Sequence, residues 1–546
     1  MRLTRATISS FMNVLRRTAA TLTLVGVISV FLFTGLMGLD FGFHWDEPRS
    51  LLAISRPLTT GTVLPGAYVY PSMIFDIGTI VLAPESLPFY RRHAGRPESY
   101  AALYTALAPA KEAADIVAFV QSKTFLLRLR TVFLAITALS GVWLYGAVRA
   151  AGRSPWEGTL AVAVLLGSWE VAYHARWVAP DMLVMQFTAL YLLFLVMALR
   201  SPSRPLFWLR FCAAVAGLAS GSKYPGGILL LPTLCCAVWA VKQRNSAQSA
   251  MAYAKGLILL VVIFGVVFLL SSPGVVLQPV TFLKSLRLAS YIYATGHGGH
   301  TVTIFQHAFL LLTYLALVFT SHFWPIALIF FTCALLGAAT TWKTAGWETG
   351  ILLCGPVALI VFMVSWHTMI VRNYMLLAPF LAFFSARGIF VLHQRLALRS
   401  ASQLTLTALI TLMLLANVVW LFHAADTIRH RQEIDLTGEV IAYIQRHSRT
   451  RYFLSPQLAH AVAMRRGSQA ENVSSNPTDA ERYLFSSKEV PLAKLGYLLC
   501  NRPWQYRVVS SPLEVNFDYY PDWLGDARAV DLSMRRARDA HMLPKP

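Results

Sequence analysis

"TAATLTLVGVISVFLFTGLMGL", residues 18–39, runs almost directly into "FGFHWDEPRS", residues 41–50. The first stretch carries no charge, and as a helix it is long enough to cross the ~30 Å hydrocarbon core of a bilayer. Arg2, Arg5, Arg16 and Arg17 precede it. It lacks a small-x-small cleavage pattern and more apolar runs follow, so a retained signal anchor is expected. The second stretch then places His44, Asp46 and Glu47 where the chain leaves the membrane. Carboxylates at that depth are costly unless they are solvated, paired or used.

Composition agrees with a membrane protein. The 546 residues are 56% hydrophobic and 13% charged, which excludes an ordinary soluble domain and a disordered chain. Further apolar runs cover 131–148, 158–173, 182–199, 206–218, 227–241, 256–277, 303–341, 350–366, 374–392 and 404–422. The run 303–341 is too long for one straight span and barely long enough for two joined at "SHFWP". Taking it as an interfacial helix plus a single span puts Arg395 and Arg399 inside with the other loop arginines, whereas two spans would move them outside. The positive-inside rule favours the first arrangement. The expected fold is an α-helical polytopic membrane protein of about eleven transmembrane helices, with a long first outer loop at 40–130. Residues 1–423 form its membrane domain. The tail, 424–546, alternates a 3.6-period segment (Ile434, Val440, Ile441, Ile444) with strand-like pieces such as "RYFLS" and "YRVVSS", and is expected to be a small C-terminal α/β extracytoplasmic module.

The net charge of +21 does not indicate nucleic acid, because Lys and Arg are scattered over short loops and the tail with no aromatic-lined basic face. Cys212, Cys235, Cys236, Cys333 and Cys354 lie in apolar runs and Cys500 alone in the tail, so no zinc spacing exists.

The predicted outer loops hold the unusual side chains. Besides the first acidic pair they contain "YHARWVAPD" with Asp181, "GSKYPGG" with Lys223, "YATGHGGH" with His297, and "HTMIVRNY" with Arg372. Each has a bland reading: Lys223 snorkels, Asp181 caps a helix after Pro180, His297 is a solvated loop histidine, Arg372 anchors at the interface. Taken together, acids and cations far apart in sequence fall on one face under a topology chosen from other charges. Such a face suits a cavity where cations hold an anionic headgroup beside carboxylates. No GxGxxG after a strand, phosphate loop, nucleophile elbow or HExxH is present. A lipid-linked phosphosugar presented within the membrane fits a site without a nucleotide fold.

"FHWDEPRSLLAISRPLTTGTVLPGAYVYPSMI" resembles the first-loop signature of bacterial glycosyltransferases of the GT-C fold. More narrowly it is similar to the dolichyl-phosphate-mannose-protein mannosyltransferase family (glycosyltransferase family 39) and its aminoarabinose- and galacturonate-transferring relatives. Arg130 opening the second span, "APD", "GLASGSKYPG", "TGHGG", the late Arg-x-Tyr and the tail's "DTIRHRQEIDLTGEVIAYIQRHS" are similar too. The sequence departs from the family at Trp45, where proline is frequent, and at "RNY", which splits the usual Arg-Tyr pair.

The resemblance implies inverting transfer of a sugar from a polyprenyl phosphate to an acceptor hydroxyl, on the outer face of the cytoplasmic membrane. Asp46 would be the general base, with Glu47 the alternative. Asp181 and His44 would bind acceptor or a metal, and a divalent cation is allowed but not required. Lys223, His297, Arg372 and Arg130 would hold the donor phosphate. Tyr68, Tyr70, Tyr224 and Tyr374 would line the substrate. The implied partners are the lipid donor, a hydroxyl acceptor and the bilayer. A transporter or flippase of a glycolipid is the competing class; it predicts polar groups at mid-membrane and internal repeats, and no repeat is found.

Overall fold

A computed structural model describes residues 5–40, 46–60, 64–93, 110–201, 203–243, 250–296, 301–396, 400–429, 436–466, 472–486, 506–508 and 529–539. These are mostly helical. Among the described residues, seven helices are long and apolar enough to cross a membrane: Val14–Leu36, Lys123–Ala150, Pro180–Arg200, Trp324–Thr344, Gly346–Val364, Val371–Arg395 and Ala401–Asp426. Shorter apolar helices cover Pro155–Leu166, Tyr224–Ala240, Lys255–Ser271 and Ile304–Leu317. The chain is thus a multi-pass membrane protein. Large apolar side chains such as Leu22, Leu270 and Leu404 lie 67%, 75% and 73% exposed on the outside of the bundle, where lipid is their natural solvent.

Two apolar runs are broken, 158–173 where the sequence suggests continuity and 303–341 at the "SHFWP" stretch where its length already requires a division. The run 158–173 divides into Pro155–Leu166 and the six-residue helix Trp169–His174. The run 303–341 divides into Ile304–Leu317 and Trp324–Thr344, the second starting with Pro325 just inside its N-terminus. The two breaks meet, and side chains from the first break and from the Ser400–Arg429 helix reach carbonyls of the second. Ser168 Oγ donates to the Phe319 carbonyl at 2.5 Å, Asn417 Nδ2 donates to the Thr320 carbonyl at 3.2 Å, and Ser321 Oγ donates to Asn417 Oδ1 at 2.6 Å. Unpaired backbone within a bilayer costs several kcal/mol per group, so such breaks persist only where neighbouring side chains reach them.

The described parts of the long loop between the first and second spans contain three helices: Glu47–Thr60, Met73–His93 and Ala110–Val120. They bury Leu51, Ile54, Phe75 and Phe89 against Phe125 and Leu129 of the Lys123–Ala150 helix. Burial there pushes the Asp76 carboxyl up to about 7. Folding therefore favours protonated Asp76, and its stabilising contribution is present below the unfolded value of 3.8 and is lost as pH rises through about 7. Asp76→Asn should raise the melting temperature at pH 8 and leave it nearly unchanged at pH 4; equal shifts at both would show that Asp76 does not titrate this way.

The tail folds around a five-stranded sheet of β1 (Tyr452–Leu454), β2 (Val473–Ser474), β3 (Arg482–Ser486), β4 (Tyr506–Val508) and β5 (Ala529–Ser533), in the order β2-β1-β3-β5-β4. β1 runs parallel to both β2 and β3, while β5 pairs antiparallel with β3 and β4. Leu436–Arg446 and Pro456–Arg466 place Val440, Ile444, Leu458 and Val462 against Tyr452, Leu454 and Leu484. Inside this core Asp531 accepts from Tyr443 Oη and Arg482 Nε, each at 2.7 Å. Ile434 and Cys500 lie outside the described residues.

Candidate active site

One end of the bundle gathers the charged residues that the sequence places in separate loops. Asp46 immediately precedes the Glu47–Thr60 helix, and Asp181 lies in the first turn of Pro180–Arg200. Asp181 does not cap that helix: Ala179 is the N-cap and makes no side-chain bond. The helix N-terminus still favours negative charge there. Lys223, in extended backbone conformation, caps the C-terminus of Pro205–Ser222 before the chain turns into the 3-10 segment Tyr224–Leu229. Gly226 permits that turn, because a Cβ there would stand 2.5 Å from the Ala219 carbonyl group. Arg372 and Asn373 come from a second 3-10 segment, Val371–Leu377. It is held in place by the Thr301–Thr368 bridge and by Val302 N donating to the His367 carbonyl at 2.8 Å.

These side chains meet in a nearly dry cluster. Arg372 Nη2 lies 2.9 Å from Asp46 Oδ2, and Arg372 Nε lies 3.7 Å from Asp181 Oδ2. Lys223 Nζ donates to Asp181 Oδ1 and to Asn373 Oδ1. Asp46, Asp181, Lys223, Arg372 and Asn373 are all buried. The Arg372 guanidinium sits 5.2 Å from the Trp177 ring centroid, and Lys223 Nζ lies 5.9 Å from that of Tyr70. Two carboxylates thus face two fixed cations, and the formal charges of the cluster balance.

A separate buried pair stands beside this cluster. Arg130 Nε and Nη2 grip Glu47 Oε1 and Oε2 at 2.8 and 2.5 Å. Glu47 Oε1 also accepts from Val178 N at 3.2 Å, and Arg130 Nη1 donates to the Leu39 carbonyl at 2.6 Å. The two residues expected to serve as alternative base and phosphate holder are therefore joined to each other, in a fork that ties the first helix, the second span and the loop before Pro180. Arg176 works similarly, donating to the Met37 and Thr34 carbonyls at 2.7 and 2.8 Å, which closes the C-terminus of the first helix.

The four tyrosines differ. Tyr68 Oη donates to Gln278 Oε1 at 2.7 Å, and Tyr224 Oη donates to the Tyr68 carbonyl at 2.6 Å, so these two brace the first loop. Tyr374 Oη bonds His307 Nε2 at 2.5 Å while His307 Nδ1 bonds the Trp366 carbonyl at 2.9 Å, which puts the ring proton on Nδ1. Only Tyr70 lies close to the charged cluster, with Lys223 near its ring. His44 and His297 lie outside the described residues. Among the described residues no group of three or more His, Cys, Asp or Glu is placed to hold a metal ion.

Sequence reasoning missed several members, among them Trp177 and Tyr293, whose Oη donates to Asn373 Oδ1 at 3.3 Å. Asn373 Nδ2 is buried without a hydrogen-bond partner among the described residues, beside Lys223. His174 is fully buried, and neither ring nitrogen has a hydrogen-bond partner among the described residues. Burial, and then Arg372 and Lys223, hold its imidazolium well below the usual range, so it is neutral. The position of His174 in "YHARWVAPD", a few residues before Asp181, was the one available signal.

Residues 118–269 match the family model described as Dolichyl-phosphate-mannose-protein mannosyltransferase. The chain resembles this family. That stretch carries Arg130, His174, Asp181 and Lys223. Among solved structures, ArnT from Cupriavidus metallidurans bound to undecaprenyl phosphate is 14% identical, with 93% of this chain and 97% of that chain covered and a TM-score of 0.47. The archaeal oligosaccharyltransferase AglB from Archaeoglobus fulgidus, in complex with an inhibitory peptide and a dolichol-phosphate, is 12% identical, with 91% and 75% covered and a TM-score of 0.43. No curated protein matches the chain.

Proposed function

We propose that the chain is a GT-C-type membrane glycosyltransferase that moves a sugar from a polyprenyl-phosphate-linked donor to an acceptor hydroxyl, with inversion. The observation that carries this reading is the buried cluster of Asp46, Arg372, Asp181, Lys223 and Asn373 at one end of the bundle. The family match at 118–269 supports it. We place the site and the C-terminal module on the outer face of the cytoplasmic membrane, since the opposite loops carry the excess of arginines.

The donor phosphate enters beside Arg372, Lys223 and the Asn373 amide, and draws Arg372 from Asp46 toward itself. Asp46 then takes the proton of the acceptor hydroxyl as that oxygen bonds the anomeric carbon. The bond from carbon to the phosphate oxygen breaks on the opposite side, and the growing phosphate charge stays with the cations. Donor binding thereby readies the base. Glu47 and Arg130 act as a strut that fixes Asp46, and His174 packs against Trp177, the ring beside the Arg372 guanidinium.

The test is transfer of labelled sugar from a polyprenyl-phosphate donor by the purified full chain in detergent, with release of the free polyprenyl phosphate. Formation of neither product across a panel of donor sugars would sink the reading. Lys223→Ala and Arg372→Ala are each expected to weaken donor binding by roughly 10- to 150-fold, the worth of one charge-assisted hydrogen bond of about 1.5–3 kcal/mol. Part of that loss should appear in turnover, because the phosphate charge grows as the sugar leaves. Variants that bind and turn over donor normally would reduce both residues to interfacial anchors.

A further inference from the structure

The end of the bundle away from Asp46 holds a cavity. The Lys123–Ala150 helix sets the distance: Arg130 stands at the active site and Arg149 nineteen residues on, about 29 Å at 1.5 Å per residue, close to a bilayer's thickness. There a cavity of about 1430 Å³ opens between the Val14–Leu36, Pro155–Leu166, Ala378–Arg395 and Ser400–Arg429 helices. Its walls are hydrocarbon, from residues such as Val27, Val30, Leu160, Ile410 and Leu414. Its mouth is basic, with Arg16, Arg17, Arg149, Arg153 and His393. The acid beside that mouth, Glu157, is shared by Arg153 at 3.2 Å and Arg387 at 3.8 Å, so positive charge stays in excess. Arg16, Arg17 and Arg149 have no carboxylate partner among the described residues. Along the apolar walls, the natural filler within a bilayer is an acyl chain.

We propose that this trough is a binding site for an anionic phospholipid, its phosphate held by Arg16, Arg17 and Arg149 and one acyl chain lying along the apolar walls. The charge complementarity selects the headgroup, as basic pockets between membrane helices do. The inference is independent of the transferase reading, since it uses none of the active-site residues.

Native mass spectrometry of the delipidated full chain, titrated with phosphatidylglycerol and with phosphatidylcholine of the same acyl chains, tests it. The wild type should retain phosphatidylglycerol preferentially. The double variant Arg16→Gln with Arg17→Gln should lower that retention by roughly 30-fold, about 5-fold for each arginine. Gly26→Trp should weaken both lipids while leaving the arginines in place. Gly26 lines the trough, and an added Cβ there meets no atom within 4 Å, so the fold accommodates the change. Equal retention of the two lipids by the wild type overturns the proposal. So does failure of either variant to weaken phosphatidylglycerol.

Discussion

Asp46→Asn is expected to lower sugar transfer by about 10²- to 10⁴-fold, the usual contribution of a general base, with donor affinity nearly intact. Asn matches the size of Asp and still offers Arg372 an oxygen, and Arg372 keeps Asp181 at 3.7 Å, so the fold should survive. What disappears is the group that accepts the hydroxyl proton. Single-turnover rates with saturating donor isolate that step from binding. Wild-type turnover in the variant would remove Asp46 from the chemistry and leave it a partner of Arg372 only.

Glu47 predicts the opposite signature. Glu47→Gln leaves Arg130 buried without its counter-charge, and breaking a buried ion pair from one side costs about 3–5 kcal/mol. The loss should appear as a lower melting temperature and poor yield, with residual turnover in the molecules that fold. Arg130→Gln should cost a similar amount. The double variant should cost clearly less than the sum, because no unpaired charge remains. If each single change costs under ~1 kcal/mol, the pair is solvated and the strut assignment fails. An isosteric amide is thus expected to slow chemistry at position 46 and to weaken the fold at position 47.

Much of this protein was legible in the linear chain. Apolar runs long enough to cross lipid, and charges confined to their ends, are local properties, so the polytopic helical character and the gathering of acids and cations at loop ends could be read directly. The tail helix at 436–446 and the strands at 452–454 and 506–508 followed from local periodicity in the same way, whereas β3 and β5 were not singled out. The division of 303–341 near "SHFWP" was legible from length alone, whereas the break at 167–168, and the partners that hold both breaks, were less accessible. They depend on Ser168 and Asn417 meeting a carbonyl row that lies more than ninety residues away in each case.

Which acid meets which cation was decided only in three dimensions. Glu47 lies one residue from Asp46, yet it pairs with Arg130, 83 residues away, while Asp46 faces Arg372. Nothing in residue type separates the two carboxylates. In a buried, low-dielectric setting a few ångströms fix the partner, and packing of the Glu47–Thr60 helix against the second span turns Glu47 to Arg130 and leaves Asp46 facing the cluster. Asn373 and His174 escaped notice for the same reason: an amide and an imidazole in a loop are ordinary until burial strips them of water and sets them beside Lys223 and Arg372.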